Sequence, residues 1–311
     1  MPKSGFLLFS AFFLFATAIF AGESARAAEP PKVAVTIKPL HSLVAAVMGD
    51  AGNPALLLSG GDSPHTHAAR PSEARIIEDA DLVFWIGPDL ETAYAKPLRA
   101  LVKGRIVTMI DSEGLELLPV REAGLAAHAR DHEEGGNVDP HIWLDPVNAK
   151  AMVRAIAAAL SEADPKRATL YGDNAVRTQA RIDALNADLK AELAPVRTVS
   201  FLTYHDAFQY FERRYELTNI GAITISPEQP PGAKRLSALR AAIEEENVAC
   251  VFTEPQFEPA LAHTLVAGTG ARIGTLDPET RPELAPGPDF YFGLMRALAH
   301  DLKACLAPSG G

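Results

Sequence analysis

The chain has 311 residues, 48% of them hydrophobic and 22% charged, with a formal net charge of −10. That length is enough for two domains of ordinary size. The acidic balance disfavours nucleic acid or an anionic membrane surface as a partner.

The first 27 residues read as a secretory leader rather than as part of the fold. Lys3 gives a positive start, Phe6 to Ala21 is apolar, and Ala25-Arg26-Ala27 supplies the small-x-small pattern before a cut. A retained membrane anchor would need about 20 apolar residues, and this run has 16. The mature chain then starts near Ala28, with 27 basic and 38 acidic residues and a charge of −11.

Beyond the leader, short apolar runs alternate with helical patterns. In the first half the runs are Val33–Ile37, Ala55–Leu58, Leu82–Ile86 and Ile106–Ile110. In the second they are Thr198–Thr203, Ile220–Ile225, Ala249–Thr253 and Arg272–Leu276. Near-continuous apolar strands are buried on both faces, and their alternation with helices predicts an α/β fold with a parallel sheet in each half.

Between the halves, Tyr171, Ala175, Thr178, Ile182, Leu185, Leu189 and Leu193 step by three or four residues. They form one stripe of a single helix from Pro165 to Ala194, with Asp164 as its cap. The alternative is two helices broken at Gly172. Unbroken, it is a stiff spine about 45 Å long. The polar segment Glu122–Asn137, with His128 and His132, reads as a surface insertion. A solvated acidic loop explains it more simply than an auxiliary metal site.

Both cysteines, Cys250 and Cys305, lie in the mature chain. An exported chain with an even, small cysteine count favours a disulfide over two buried thiols.

The residues that could carry chemistry are histidines. "NVDPHIWLDP" holds His141 between a proline and an apolar run, with Asp145 placed to cap the helix that follows. His65 and His67 follow the run Ala55–Leu58, His205 follows Thr198–Thr203, and Asp277 follows Arg272–Leu276. Strand C-terminal ends are where open α/β sheets bind ligands. Two lobes facing across those ends would bring His65, His141, His205 and Asp277 together in a cleft. Three imidazoles and one oxygen make a tetrahedral zinc site. A lone buried histidine with satisfied hydrogen bonds is the plainer reading of any one of them. His41 caps or packs after the first strand, and His263 and His300 read as surface.

The stretches "IKPLHSLVAAVMG", "GGDSPHTHAARPSE", "ADLVFWIGPDLE", "DPHIWLDP", "TYHDAFQYFE", "FTEPQF" and "GTLDP" resemble the substrate-binding proteins of metal-uptake ABC importers. The similarity is strongest to the periplasmic zinc-binding component. It covers essentially the mature chain. It implies two pseudo-symmetric α/β lobes, a rigid joining helix and one metal in the inter-lobe cleft. It implies His65, His141 and His205 as zinc ligands, with Asp277 either the fourth ligand or a hydrogen-bonding neighbour of a bound water. It implies the Cys250–Cys305 disulfide, and a shortened form of the family's His- and acid-rich loop at 122–137.

The expected layout is a leader (1–27), an N-terminal lobe (28–164), a linking helix (165–195) and a C-terminal lobe (196–311). Two positions depart from the family pattern. Pro64 stands where some zinc receptors carry a glutamate, and His67 where an aromatic residue is common. His67 either orients a neighbour or offers a second imidazole. The function implied is a monomeric periplasmic receptor, not an enzyme, that captures Zn2+ for an inner-membrane ABC permease. The alternatives are a manganese receptor, which would use more carboxylates, and a three-histidine zinc hydrolase, for which no HExxH-type helix is present.

Overall fold

The computed structural model describes Met1 and residues 29–121, 138–225 and 231–307. The proposed leader and the insertion 122–137 therefore lie outside the described residues, apart from Met1. The N-terminal half runs β1 (Val33–Val35), α1 (Lys38–Met48), β2 (Ala55–Leu56), α2 (Pro71–Asp79), β3 (Leu82–Trp85), α3 (Ala95–Leu101) and β4 (Arg105–Thr108). Next come α4 (Pro146–Ala163) and α5 (Ala168–Leu193). The second half runs β5 (Phe201–His205), α6 (Gln209–Tyr215), β6 (Asn219–Thr224), α7 (Ala233–Glu245), β7 (Cys250–Thr253), α8 (Ala260–Val266), β8 (Arg272–Thr275) and α9 (Phe290–Leu306).

All eight expected strands form. They build two four-stranded parallel sheets in the orders β2-β1-β3-β4 and β6-β5-β7-β8. The two orders are the same topology, which is the pseudo-symmetry of the lobes. One boundary shifts to a useful effect. β5 continues to His205, because His205 still pairs with Thr224 of β6, so this histidine ends a strand rather than following one.

The alternation of side chains shows that both sheet faces are covered. In β3, Leu82 and Phe84 enter the main core while Val83 and Trp85 pack against α2 and α3 residues. In the second sheet, Phe201 and Phe252 face the main core while Leu202 and Val251 face the other way, against α7 and α8. Period-two alternation with apolar residues on both faces is the pattern of a parallel sheet sandwiched by helices.

The main core is continuous across the two halves. The predicted stripe of α5 is buried in full, from Tyr171 to Leu193. Helix α5 packs on α1, α4 and α9, and α9 also packs on α1. Gly172 does not break α5, since its Cα faces open space; glycine there costs about 1 kcal/mol relative to alanine. Short 3-10 turns, Pro165–Arg167 and Ala194–Val196, flank the helix. Cys250 and Cys305 form a disulfide that ties the start of β7 to the end of α9. Among the described residues no helix is long and apolar enough to cross a membrane.

Candidate metal centre

Three segments deliver three histidines to one point. His141 sits just before the turn Ile142–Leu144 that leads into α4. Asp145 caps α4 by accepting the Val147 N–H at 2.8 Å, with Pro146 in the first turn. Its carboxylate also takes the Arg214 guanidinium at 2.8 and 2.7 Å, which pins this corner to α6 of the other half. His205 is held by the β5–β6 pairing. His65 lies between β2 and α2, where the N–H groups of Thr66 and His67 bond back to the Ser63 carbonyl.

The ring nitrogens converge. His141 Nε2 is 3.2 Å from His65 Nε2 and 3.4 Å from His205 Nε2. The three side chains are the one group among the described residues whose donor atoms lie close enough together to share a metal ion. A tetrahedral zinc site with bonds of about 2.0–2.1 Å has edges of about 3.3–3.4 Å. The two edges at His141 therefore match that polyhedron, and all three donor atoms lie within 4.8 Å of one another.

Two of the rings are fixed from behind. Asp139 Oδ1 lies 2.7 Å from His141 Nδ1 and accepts the His141 backbone N–H at 3.0 Å. Glu254 Oε1 lies 2.5 Å from His205 Nδ1 and accepts the His205 backbone N–H at 3.1 Å. Each carboxylate fixes the Nδ1–H and turns Nε2 to the cleft, where it is the lone pair of the neutral ring.

Electrostatics separate the three. Burial lowers His65 to about 2, and the adjoining rings of His141 and His205 push the same way. His141 is held well below its ordinary range by burial and by His205. Burial would lower His205 too, but the Glu254 carboxylate, with Asp206 and Asp139, outweighs it and the ring is raised. His65 and His141 are thus held toward the neutral form and His205 toward the protonated one.

The structure does not bring Asp277 into this group. Its Oδ1 accepts the N–H groups of Glu279 and Thr280 and the Gln256 amide at 3.0, 2.7 and 3.0 Å. Its Oδ2 accepts the Thr280 hydroxyl at 2.6 Å and the Arg281 N–H at 2.7 Å. Burial alone would raise this carboxyl; these hydrogen bonds outweigh it and hold it below the usual range. Five donors occupy the carboxylate, so its place is at the centre of its own loop.

The acidic residue of that loop that borders the histidines is Glu279, although its carboxylate, like that of Asp277, is not in the group of donor atoms close enough to share one ion. It lines a chamber of about 10 Å³ together with His65, His141, His205 and Glu254. Glu279 is 5% exposed. Burial raises its carboxyl well above the usual range, with Asp277 and Glu91 adding to the effect and Lys38 opposing it. On the outer side the histidines open to a cleft of about 200 Å³ walled by Val120 and Arg121 of one half and Asp206 and Ile225 of the other. Arg121 closes the cleft floor by pairing with Asp206 at 3.0 Å and Glu212 at 2.8 Å.

His67 points away from the group. Its Nε2 meets the Glu73 carboxylate at 3.1 and 3.0 Å, and Glu73 also accepts the Arg70 N–H and the Tyr94 hydroxyl. His67 anchors the His65 segment to the start of α2. His41 is buried in α1 against the Pro54 carbonyl, and His300 is exposed.

Sequence reasoning missed Asp139, Glu254 and Glu279. Asp139 was visible two residues before His141. Glu254 sits just past the end of β7, the same strand-end position that singled out the other residues. Glu279 could not be told from Asp277 without the turn of the loop.

With this geometry in hand, the sequence matches over residues 33–305 the family described as zinc-uptake complex component A, periplasmic. The chain belongs to this zinc-uptake family. Among its relatives is the high-affinity zinc uptake system protein ZnuA of Brucella suis, 41% identical, with 94% of this chain and 97% of that protein covered. The ZnuA of Paracoccus denitrificans is 33% identical, with 90% and 93% covered. A crystal structure of ZnuA superposes with a TM-score of 0.74 at 26% identity, covering 89% of this chain and all of that one. The family match spans both sheets and all three histidine segments.

Proposed function

We propose that this chain is a periplasmic receptor that captures Zn2+ and delivers it to the inner-membrane permease of an ABC importer. The observation that carries the reading is the convergence of the His65, His141 and His205 ring nitrogens between two lobes, with both edges at His141 at tetrahedral spacing. Glu279 supplies the oxygen of the fourth position, directly or through one water held in the small chamber. Asp277 shapes the loop that carries it. Family membership supports the zinc cargo and the periplasmic location.

The remaining parts of the reading follow from the same role. Residues 1–27 direct export and are removed. Residues 28–164 and 196–311 act as lobes on the linking helix 165–195, and the receptor works as a monomer. Three imidazoles favour zinc over manganese, which prefers carboxylate and water oxygens. No chemistry is performed on the ion. A site this preorganised has no internal route to release, so the permease must part the lobes.

Elemental analysis of the protein recovered from the exported fraction tests this. One zinc per chain is expected. Manganese in place of zinc, or a metal content unchanged when the three histidines are replaced together, would overturn it.

A further inference from the structure

Glu279 is gripped on both sides from the opposite half of the molecule. The carbonyl before it, Pro278 O, accepts the Trp143 indole N–H at 3.0 Å. The carbonyl after it, Thr280 O, accepts from Lys38 Nζ at 2.7 Å. Trp143 is two residues past His141, and Lys38 opens α1, just after β1. Both are buried, at 1% and 6% exposure.

A lysine at that depth is costly unless its charge and donors are used. The loop 277–281 needs no help from the other half to fold, because Asp277 already binds the N–H groups of residues 279, 280 and 281. What Lys38 and Trp143 add is registration of that loop against the half that contributes His65 and His141. Trp143 holds the 278–279 peptide that enters Glu279, and Lys38 holds the 280–281 peptide one residue beyond it.

We propose that Lys38 is a positioning residue for the metal site: with Trp143 it clamps the loop on either side of Glu279 across the lobe interface, so that the fourth donor reaches the three histidines only when the lobes are docked. The inference rests on the zinc-receptor reading above. It ties closure of the lobes to completion of the coordination shell. Parting them pulls Glu279 away from His65 and His141 in the same movement.

The test uses the full mature chain loaded with Co2+, whose visible spectrum reports the donor set, alongside zinc affinity by chelator competition. Glu279→Gln is the reference for a lost fourth donor. Lys38→Met removes the charge and the donor while keeping the length of the side chain. Trp143→Phe removes only the indole N–H. Lys38→Met should shift the cobalt spectrum toward that of Glu279→Gln and weaken zinc at least tenfold. Trp143→Phe should do the same to a smaller extent. Combining Lys38→Met with Glu279→Gln should add little to either alone, because both act through one contact.

Unchanged cobalt spectra in Lys38→Met and Trp143→Phe would overturn the inference, as would fully additive losses in the double variant. If Lys38→Met does not fold, Trp143→Phe and its combination with Glu279→Gln decide the matter by the same criteria. The underlying reading fails separately: it falls if the unaltered chain binds neither zinc nor cobalt through its histidines.

Discussion

His205 and Glu254 form a two-point contact, one carboxylate oxygen meeting both the ring Nδ1 at 2.5 Å and the backbone N–H of the same histidine at 3.1 Å. His141 and Asp139 repeat it in the other half, at 2.7 and 3.0 Å. Each lobe thus brings a histidine whose tautomer and direction are set before metal arrives. Carboxylates of this kind usually contribute 10–100-fold to metal affinity. Glu254→Gln and Asp139→Asn should each weaken zinc by roughly that factor while the fold survives. Chelator competition and thermal melting in parallel check both halves of the statement. Full zinc affinity in Glu254→Gln would remove this carboxylate from the account.

The same contacts set the proton count. Three independent imidazoles would release up to three protons on binding zinc in mild acid. Here His65, lowered to about 2, and His141, also lowered, are neutral there, and His205 alone is raised. Zinc binding should therefore displace one imidazole proton per ion at pH values below the His205 pKa, and a second from the raised Glu279 carboxyl where that group binds the ion directly. Calorimetry in buffers of different ionisation enthalpy reads the count. A release of three protons near pH 6 would contradict it.

Glu91 gives a pH effect on stability from a group outside the three histidines. It is fully buried behind β1 and β3, accepting from the Ile86 and Gly87 N–H groups and the Thr36 hydroxyl. Burial raises it from 4.5 to about 7, outweighing those hydrogen bonds. A carboxyl raised in the folded state favours folding below its unfolded value and loses that contribution as pH climbs through the folded one. The metal-free protein should lose about 3 kcal/mol between pH 4.5 and 7.5 from this group. Glu91→Gln should remove that part of the pH dependence, as measured by denaturant unfolding of both proteins across the range. Parallel curves for the two would show that Glu91 does not titrate there.

The Cys250–Cys305 disulfide closes a loop with a sequence separation of 55 residues. Chain entropy gives it about 4 kcal/mol. Replacing both cysteines with serine should lower the melting temperature by roughly 10 °C. Zinc affinity should stay within about twofold, since neither sulfur touches the histidine segments; calorimetry on the variant checks this. A large loss of affinity would mean that the β7–α9 tie also shapes the site.

Much of this arrangement was legible in the sequence because it depends on local period. The eight strands announce themselves as apolar runs, and the α5 stripe from Tyr171 to Leu193 is read residue by residue. Of the three histidines, His65 follows such a run and His205 ends one, while His141 stands just before α4. What was not legible depends on how the chain turns back on itself. Asp277 and Glu279 are two carboxylates two residues apart, and only the capture of three backbone N–H groups by Asp277 decides which of them faces the histidines. His205 belongs to β5 because of a register with Thr224 that the strand's own residues do not reveal. The continuity of the core is a third case: α9 packs on α5 and also on α1, a segment some 250 residues away.

The central claim is that three histidines bind one zinc ion and one oxygen completes the shell. Zinc-edge X-ray absorption on the mature protein carrying one equivalent of zinc measures that shell directly. The account predicts a four-coordinate ion with three imidazole nitrogens and one oxygen at about 2.0–2.1 Å, and the loss of one imidazole in each of His65→Ala, His141→Ala and His205→Ala. A six-coordinate shell of oxygens, or an imidazole count that stays at three in any of those variants, would contradict it.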